Sequence, residues 1–369
     1  MFINVPGALT DHRFWLLSED TVFRHLHCLV SALVISAVPA PADAASKVKA
    51  IGTVVIYAGT CEPSAAVFAS STDFNSPIVV ASDEDNILRI YDVNAGGEPS
   101  RTVDLNGFLD LDPDDEDEKA DLEAATRLNG RIFWLASHSR SAGKGKVRPS
   151  RHQFFTTEVS ADAAEVTVRP VEMAQGGIMK AVEGITEPDL RKSIRADRDE
   201  DEDLRPERHG LNIEGMAAGF DGTSVLIGLR NPLSADGYAI VLSLKNPVEV
   251  VKSGNDPDFD APMLLDLGRR GIRSLEYSLA DTAYYIAAGP VGDAPGNQRG
   301  FGLYRWSGKK GDAPTPVDGF GDAIAEIKDF HPEAMIIAPD GRRIRLLSDD
   351  GDVCNDDNPA FRAIDLAVE

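Results

Sequence analysis

The chain has 369 residues, enough for a single domain with a sizeable core, because a body of about 300 residues buries roughly three quarters of its unfolded surface. Its 37 Lys and Arg residues are outnumbered by 60 Asp and Glu residues, which gives a formal net charge of −23. Binders of nucleic acid or of anionic membranes need a basic surface, so this composition argues against both as partners and is compatible with cation binding.

The first residues are typical of an export signal. Arg24 precedes an apolar run over residues 28–40 (CLVSALVISAVPA), and Ala42-Asp43-Ala44 has the small-x-small form of a signal-peptidase site. The run is too short to span a bilayer. We therefore predict a signal region over residues 1–44, with translation starting near Val22, and a periplasmic or secreted protein without an integral membrane segment.

Two cysteines remain after the predicted cleavage. Cys61 and Cys354 lie at opposite ends of the remaining chain. In a secreted protein this pattern favours one disulfide that ties the first structural unit to the last, the alternative being two unpaired thiols.

A β-hairpin pattern then recurs along the chain. Each copy has a glutamate, an apolar stretch rich in small residues, a turn and a second apolar stretch, and the third copy turns at Asp221-Gly222, a strong hairpin signal. The glutamates that begin the five copies are Glu62, Glu123, Glu214, Glu276 and Glu333. They are 57–62 residues apart, except for the interval of 91 residues between the second and the third.

Further strand-like segments follow each of the first four hairpins. They are ILRIYDV and RTVDL, HQFFTTEVS and AEVTVRPVE, YAIVLSL and PVEVVK, and GLYRWSG and PTPVDGF. A repeat of four antiparallel strands predicts an all-β fold, a β-propeller that forms one domain over residues 45–369. We expect five blades, or six if the longer interval hides a degenerate one. A partly helical insertion near residues 170–208 accounts for that interval.

The last repeat is one strand short. Only FRAIDLAV follows its hairpin, whereas KAIGTVVIYAG precedes Cys61 without a partner. We expect this N-terminal strand to complete the last blade, which removes an open sheet edge and brings Cys61 close to Cys354.

The repeated glutamates predict a polar site at one mouth of the central channel. Polar residues also follow the second strand of several hairpins, and most of the histidines beyond the signal region lie at hairpin ends. These residues are Asp83, Asp85, His138, Arg140, His209, Arg230, His331, Asp349 and Asp350. The alternative is structural, with each glutamate capping its blade or pairing with a neighbouring arginine.

The residue types define the expected chemistry. Carboxylates without a thiolate cluster favour Ca²⁺, and the candidate ligands are Glu62, Asp83, Glu123, Glu333 and Asp349. The candidate binders of a substrate anion are Arg140, Arg230 and Arg273. Histidine titrates near neutral pH, so His138 and His209 are candidate general acids or bases beside a catalytic Glu214.

The repeat units also resemble a known kind of protein. DLEAATRLNGRIFWLASHSR, LNIEGMAAGFDGTSVLIGLRNPL and HPEAMIIAPDGRRIRLLSDDGD, with SDEDNILRIY in the first unit, are similar to an uncharacterised bacterial propeller family. That family resembles the phytase-like, or esterase-like, propellers, which share a Glu-Gly-(apolar)-Gly hairpin. The fourth unit departs from the pattern, with Tyr277 after Glu276, so we do not expect a fully symmetric site.

Together, the residues and the resemblance lead to one functional expectation. The protein is expected to be a Ca²⁺-assisted hydrolase that acts on a small anionic molecule, a phosphorylated or ester substrate, at the channel mouth. The alternative is a non-catalytic periplasmic propeller that binds a ligand or serves as a scaffold.

Overall fold

The chain folds as a five-bladed β-propeller. The computed structural model describes residues 46–70, 72–162, 165–182, 185, 190–191, 203–208, 210–292, 300–355 and 357–369. The predicted signal region, most of the predicted insertion and His209 lie outside these residues. Five separate four-stranded antiparallel sheets account for all the strands in the described part of the chain, which confirms the prediction of five blades.

Twenty strands build the blades. In chain order they are β1 (Val48–Ala58), β2 (Pro63–Phe68), β3 (Ile78–Ser82), β4 (Ile87–Tyr91), β5 (Arg101–Asp104), β6 (Leu122–Leu128), β7 (Arg131–Ala136), β8 (Phe154–Asp162), β9 (Glu165–Met173), β10 (Asn212–Ala218), β11 (Val225–Asn231), β12 (Ala239–Leu244), β13 (Met263–Leu265), β14 (Gly271–Ser278), β15 (Ala283–Gly289), β16 (Gly302–Trp306), β17 (Thr315–Pro316), β18 (His331–Ile337), β19 (Arg343–Asp349) and β20 (Ala360–Val368). Blade 1 is β2–β5, blade 2 is β6–β9, blade 3 is β10–β13 and blade 4 is β14–β17; blade 5 has the order β1-β20-β19-β18.

The described helices are short. The α-helices are α1 (Asn106–Leu109), α2 (Met179–Val182), α3 (Pro247–Ser253) and α4 (Phe320–Ala325), and the 3-10 turns are Glu116–Glu118, Pro149–Arg151 and Gly351–Val353. None of the described helices combines the length and the apolar character needed to cross a membrane.

One predicted strand is wrong. The segment PVEVVK forms α3, with Pro247 in its first turn and Gly254 in the left-handed conformation at its C-cap. Proline is well tolerated at a helix start and glycine at a helix end, and here these two residues override the β-branched composition between them. The outermost strand of blade 3 is instead β13, which pairs with β12.

Blade 5 closes the propeller as predicted. Strand β1 pairs antiparallel with β20, from Val48 opposite Val368 to Ala58 opposite Ala360. The disulfide between Cys61 and Cys354 joins the end of β1 to the loop between β19 and β20. The last blade is thereby completed by the N-terminal strand and fixed covalently to the first.

Among the described residues the hydrophobic core is divided into five clusters, each between neighbouring blades. Trp134 and Phe155 of blade 2 pack against Leu88 and Ile90 of blade 1, for example. The inner strands are buried on both faces, so their sequences are continuous apolar runs and do not alternate between apolar and polar residues.

Candidate functional site

The innermost strands of the blades are β2, β6, β10, β14 and β18, and their first residues surround one end of the central channel. We call this end the acidic mouth and the opposite end, where these strands finish, the apolar mouth. Near its start each innermost strand has a β-bulge, and the residue left out of the ladder there is Ser64, Glu123, Glu214, Arg273 or Glu333. Because a bulge redirects a side chain, these five positions, one per blade, are structurally equivalent.

The expectation of five equivalent glutamates is therefore wrong in two blades. Glu62 lies two residues before the bulge at Ser64, just ahead of β2. Glu276 lies three residues beyond Arg273 and pairs in register with Tyr285, about 10 Å further along the channel at the usual rise of a strand. Matching the sequence repeats by their glutamates misplaced both residues.

Glu214 and Arg273 form the centre of a buried ion-pair network. Arg273 Nη1 lies 3.1 Å from Glu214 Oε2, and its Nη2 pairs with Glu333. Arg230 Nη1 lies 3.0 Å from Glu214 Oε1, and Asn212 Nδ2 donates to the same oxygen at 2.8 Å. Glu214 and Arg230, which lie at the same end of the third hairpin, are thus part of a network that joins blades 3, 4 and 5.

Two glycines let blades 3 and 4 approach closely enough for this network. A Cβ atom on Gly215 would lie 2.8 Å from Ile272 Cγ2, and one on Gly228 would lie 2.7 Å from the same atom. The Glu-Gly dipeptide of the third repeat therefore combines a charged group at the bulge with the close packing of β14 behind it.

Burial weakens the hold of Arg273 on its proton. Burial and the neighbouring Arg230 lower the pKa of Arg273 to about 10, although Glu214 and Glu123 act in the opposite direction. The guanidinium still carries its charge at neutral pH. Its Nε makes no hydrogen bond within the described residues, so the charge of the network is balanced but its hydrogen bonding is incomplete.

A second cluster at the acidic mouth consists of carboxylates alone. Asp83, Asp121 and Glu123 each offer an oxygen within 4.8 Å of the oxygens of the other two. Asp121 is oriented by Arg151 Nη1 at 2.8 Å and by the hydroxyls of Ser137 and Ser139. These three residues, the acidic triad, could hold a metal ion.

The ionised forms of two triad members are disfavoured. Burial, followed by the charges of Asp121 and Glu62, raises the pKa of Asp83 well above its usual range. Burial and the charges of Glu214 and Asp121 do the same for Glu123. A bound cation would counter both effects, because it favours the charged form of each carboxylate.

Glu62 and Asp349 lie beside the triad. Burial and the neighbouring charges of Asp349 and Glu84 raise the pKa of Glu62 to about 7, and Glu62 in turn raises the pKa of Asp83. Asp349 Oδ1 accepts a hydrogen bond from the Gly351 backbone N–H at 2.9 Å. Of the predicted metal ligands, the structure thus brings Asp83 and Glu123 together with Asp121, places Glu62 and Asp349 next to them, and pairs Glu333 with Arg273.

His138 is buried beneath the mouth. Its side chain is 2% exposed, Nδ1 lies 2.9 Å from the Ala136 carbonyl, and Nε2 accepts the Ile178 N–H at 3.2 Å. Burial and the stacked ring of His152 lower the pKa of His138 to about 3. The neutral ring anchors the segment before α2 and is not placed to exchange a proton with a substrate.

Two aspartates at hairpin exits have structural partners. Asp85 holds Arg89 with both carboxylate oxygens, at 3.0 and 2.5 Å. Asp350 is buried and binds the Arg362 guanidinium at 2.9 and 2.6 Å. Both pairs lie within a blade and leave the channel mouth to other residues.

Two further predicted residues lie outside the network. Arg140 Nη1 donates to the Gly145 carbonyl at 3.0 Å within its own loop. The ring of His331 stacks on Phe301, with 5.8 Å between the centroids.

Sequence reasoning missed Asp121 and Arg151. The signal for Asp121 is positional, because it lies two residues before the bulge, as Glu62 and His331 do in their blades. Arg151 belongs to a 3-10 turn after β7, and no local pattern indicates that it reaches Asp121.

Comparison with known proteins identifies no family. No protein-family model and no curated protein matches the chain. Among solved structures, the chain is 8% identical to a glutaminyl cyclase of Myxococcus xanthus, with a TM-score of 0.45 and coverage of 88% of this chain and 97% of that one. It is 12% identical to a PQQ-bound aldose sugar dehydrogenase of Streptomyces coelicolor, with a TM-score of 0.42 and coverage of 88% and 98%.

A luciferin-regenerating enzyme is 9% identical, with a TM-score of 0.35 and coverage of 79% of this chain and 73% of that one. Similarities at this level carry no argument about activity. Membership of the uncharacterised bacterial family stays a prediction, and function must be argued from the site.

Proposed function

We propose that the protein is an exported propeller that hydrolyses a phosphorylated or carboxylic ester at its acidic mouth with the help of Ca²⁺. The observation that carries this proposal is the acidic triad, whose oxygens lie within 4.8 Å of one another. Oxygens that bind one Ca²⁺ at 2.3–2.6 Å are at most about 5 Å apart, so the spacing fits a shared ion.

The donor set also fits this ion. Carboxylates from Asp83, Asp121 and Glu123 are hard oxygen ligands, and Ca²⁺ takes six to eight of them. Three protein ligands leave positions for water and for a substrate oxygen. When bound, Ca²⁺ would polarise the phosphoryl or carbonyl group and make a bound water more acidic.

Arg230 is the residue best placed to bind the substrate anion. Its side chain is 21% exposed, compared with 8% for Arg273, so it combines a fixed position on Glu214 with access to solvent. Arg273 would act indirectly, by holding Glu214 and Glu333 in place. Glu214 then positions the two arginines.

Glu62 is the candidate general base. A carboxyl with a pKa of about 7 is half-ionised near neutral pH, which is the condition that favours proton transfer. Its charge acts on Asp83 of the triad, so it lies near the proposed reaction centre. In this proposal Glu62 replaces the histidines expected from the sequence.

The disulfide supports the exported part of the proposal. Cys61 and Cys354 are bonded, and structural disulfides persist in oxidising compartments such as the periplasm and the extracellular space.

A non-catalytic binding propeller is the second candidate. The ion pairs of Arg230 and Arg273 with Glu214 and Glu333 favour it, because a guanidinium that is already paired binds a substrate anion less strongly. In that case the triad would hold Ca²⁺ to organise a ligand-binding mouth without turnover.

The test measures Ca²⁺ binding by calorimetry and hydrolysis of a panel of phosphomonoesters, phosphodiesters and carboxylic esters, with Ca²⁺ and with chelator. The decisive variant is Glu123→Gln, which removes a triad charge and keeps the shape. The matched control is Glu326→Gln, since Glu326 is exposed beyond α4.

Each outcome has a defined meaning. Turnover that requires Ca²⁺, falls at least 100-fold in Glu123→Gln and is retained in Glu326→Gln would support the hydrolase. Ca²⁺ binding that depends on Glu123 without turnover of any substrate would favour the binding propeller. A wild-type protein that does not bind Ca²⁺ would overturn both.

A further inference from the structure

The apolar mouth contains a cavity that the proposed hydrolase does not use. Its volume is about 440 Å³, and it is lined by residues at the C-terminal ends of all five innermost strands. Its apolar lining includes Phe68, Ala218, Tyr277, Ile336 and Ala338. A volume in this range, with a mainly apolar wall and a few polar groups, is typical of a small-molecule site.

One wall of the cavity carries an acid without a partner. The Glu276 carboxyl projects from β14 and makes no hydrogen bond or ion pair with any described residue. Glu276 is half-buried in this wall, and the loss of solvent around it raises its pKa well above the usual range. Removing water from an unpaired carboxylate is costly, so a group that compensates the charge of Glu276 would bind favourably.

The same cavity is lined by a positively charged side chain, Arg127, that has no acidic partner among the described residues. Arg127 Nη2 donates to the carbonyls of Phe68 and Ala69, at 2.8 Å each, and these bonds fix the guanidinium at the end of β6. Within the described part of the chain no carboxylate pairs with Arg127, and burial lowers its pKa. Glu276 and Arg127 line one cavity and do not pair with each other.

We propose that the apolar mouth binds a small zwitterion with an apolar body, such as a short aliphatic peptide with free termini. The ligand's ammonium group bonds Glu276, its carboxylate bonds Arg127, and its side chains pack on the wall between them. A ligand with only a negative charge would leave the charge of Glu276 uncompensated, and a ligand with only a positive charge would leave that of Arg127 uncompensated. A neutral apolar molecule would compensate neither charge.

The rim of the cavity supports an apolar ligand body. Leu279, at the turn after β14, is 78% exposed and lines the same cavity. An exposed leucine beside an apolar cavity gains from contact with an aliphatic side chain, at roughly 25 cal/mol for each Å² that is buried.

The test is calorimetric titration with three related probes. Leucyl-leucine carries both charges, N-acetyl-leucyl-leucine lacks the ammonium group, and leucyl-leucine amide lacks the carboxylate. We expect the free dipeptide to bind and each blocked form to bind at least tenfold more weakly. Equal binding of a blocked form, or no binding of the dipeptide at 10 mM, would overturn the proposal; this comparison needs no variant.

Two variants then assign the contacts. Glu276→Gln is expected to reduce dipeptide affinity at least tenfold while leaving the weak binding of the N-acetyl form unchanged. Arg127→Lys keeps the charge but cannot form a bidentate contact with a carboxylate. It should therefore weaken the binding of the free dipeptide and leave the binding of leucyl-leucine amide unchanged. Glu326→Gln is the control and should bind as the wild type does. An unchanged affinity in Glu276→Gln would contradict the assignment.

This site is independent of the proposed Ca²⁺ site. Glu276 lies three residues from the bulge on β14, and Arg127 lies four residues from Glu123 on β6, so about 10–13 Å separates the two sites along the strands. Dipeptide binding should therefore survive chelator and the Glu123→Gln substitution. Loss of binding in either condition would show that the two mouths are not separate sites.

Discussion

The two mouths of the channel are built from the same five strands, yet they treat charge in opposite ways. At the acidic mouth carboxylates and guanidiniums crowd together and pair across blades. At the apolar mouth one acid, Glu276, and one base, Arg127, line a cavity without pairing. The two ends also differ in strand pairing, because each innermost strand has a bulge near its start, where a side chain is redirected, and pairs regularly towards its other end.

The comparison separates two ways of carrying a buried charge. In the network around Glu214 the protein itself supplies the opposite charge, so that end should be important for stability. In the acidic triad and at Glu276 the protein supplies no compensating charge or only part of it, so those groups should respond to ions, pH or ligand.

The largest effect should come from Arg273→Met. The substitution leaves Glu214 and Glu333 buried without their shared cation, and breaking a buried pair by removing one partner typically costs about 3–5 kcal/mol. Unfolding in guanidinium chloride would measure the loss in the free energy of unfolding. Arg342→Met, at an exposed arginine, should change the free energy of unfolding by less than about 0.5 kcal/mol.

Neutralising the two glutamates tests whether uncompensated charge causes the loss of stability in Arg273→Met. Adding Glu214→Gln and Glu333→Gln to Arg273→Met should restore part of the lost stability, because no uncompensated charge remains. If Arg273→Met alone costs less than 1 kcal/mol, the acidic mouth does not depend on its ion pairs, and the contrast between the mouths fails.

The next largest effect should come from calcium. A ligand that binds only the folded state at 100 times its Kd raises the free energy of unfolding by about 2.7 kcal/mol. Thermal unfolding with Ca²⁺ and with chelator should show this gain in the wild type and not in Glu123→Gln. Glu276→Gln should keep the gain, and its loss there would contradict the separation of the two mouths.

Glu276→Gln should itself stabilise the protein at high pH. The pKa of Glu276 is raised in the folded state, so the penalty for folding appears above its unfolded pKa of about 4.3 and is absent below it. We expect a gain on the order of 1 kcal/mol at pH 8 and none at pH 4, measured by urea unfolding. A gain that is equal at both pH values would point to packing rather than to ionisation.

The smallest effect should be that of Glu62→Gln. The raised pKa of Glu62 means that the folded state keeps this proton longer than the unfolded state, so stability falls as pH rises from about 4.3 to about 7. Glu62 is partly open to solvent, which reduces its contribution to below about 1 kcal/mol. Urea unfolding in chelator should show a flatter pH profile in Glu62→Gln, and an unchanged profile would place the titration elsewhere.

The sequence was sufficient to predict the fold because the fold is repeated. A hairpin that recurs five times, with an unpaired N-terminal strand and two distant cysteines, specifies a closed propeller without any knowledge of side-chain contacts. The segment PVEVVK was misassigned because a short run of β-branched residues does not distinguish a strand from a helix, and here Pro247 and Gly254 decided the outcome.

The site was less predictable, because a repeat matched by residue type hides a shift in register. Glu62 and Glu276 match the other glutamates in type, but the bulges fall at Ser64 and Arg273. A one-residue change of register on a strand moves a side chain to the other face, and a change of three moves it about 10 Å. His138 illustrates a second limit, because its burial depends on the contact with Ile178, 40 residues away.

The disulfide gives the molecule an unusual covalent topology. The 293-residue separation of Cys61 and Cys354 encloses blades 1–4 and strands β18 and β19 in one covalent circle, and of the described strands only β1 and β20 lie outside it, side by side. A single backbone cut anywhere within that circle would leave one connected molecule. Two fragments would separate on a denaturing gel only after reduction, so a protease that nicks one loop in an oxidising environment cannot by itself take the propeller apart.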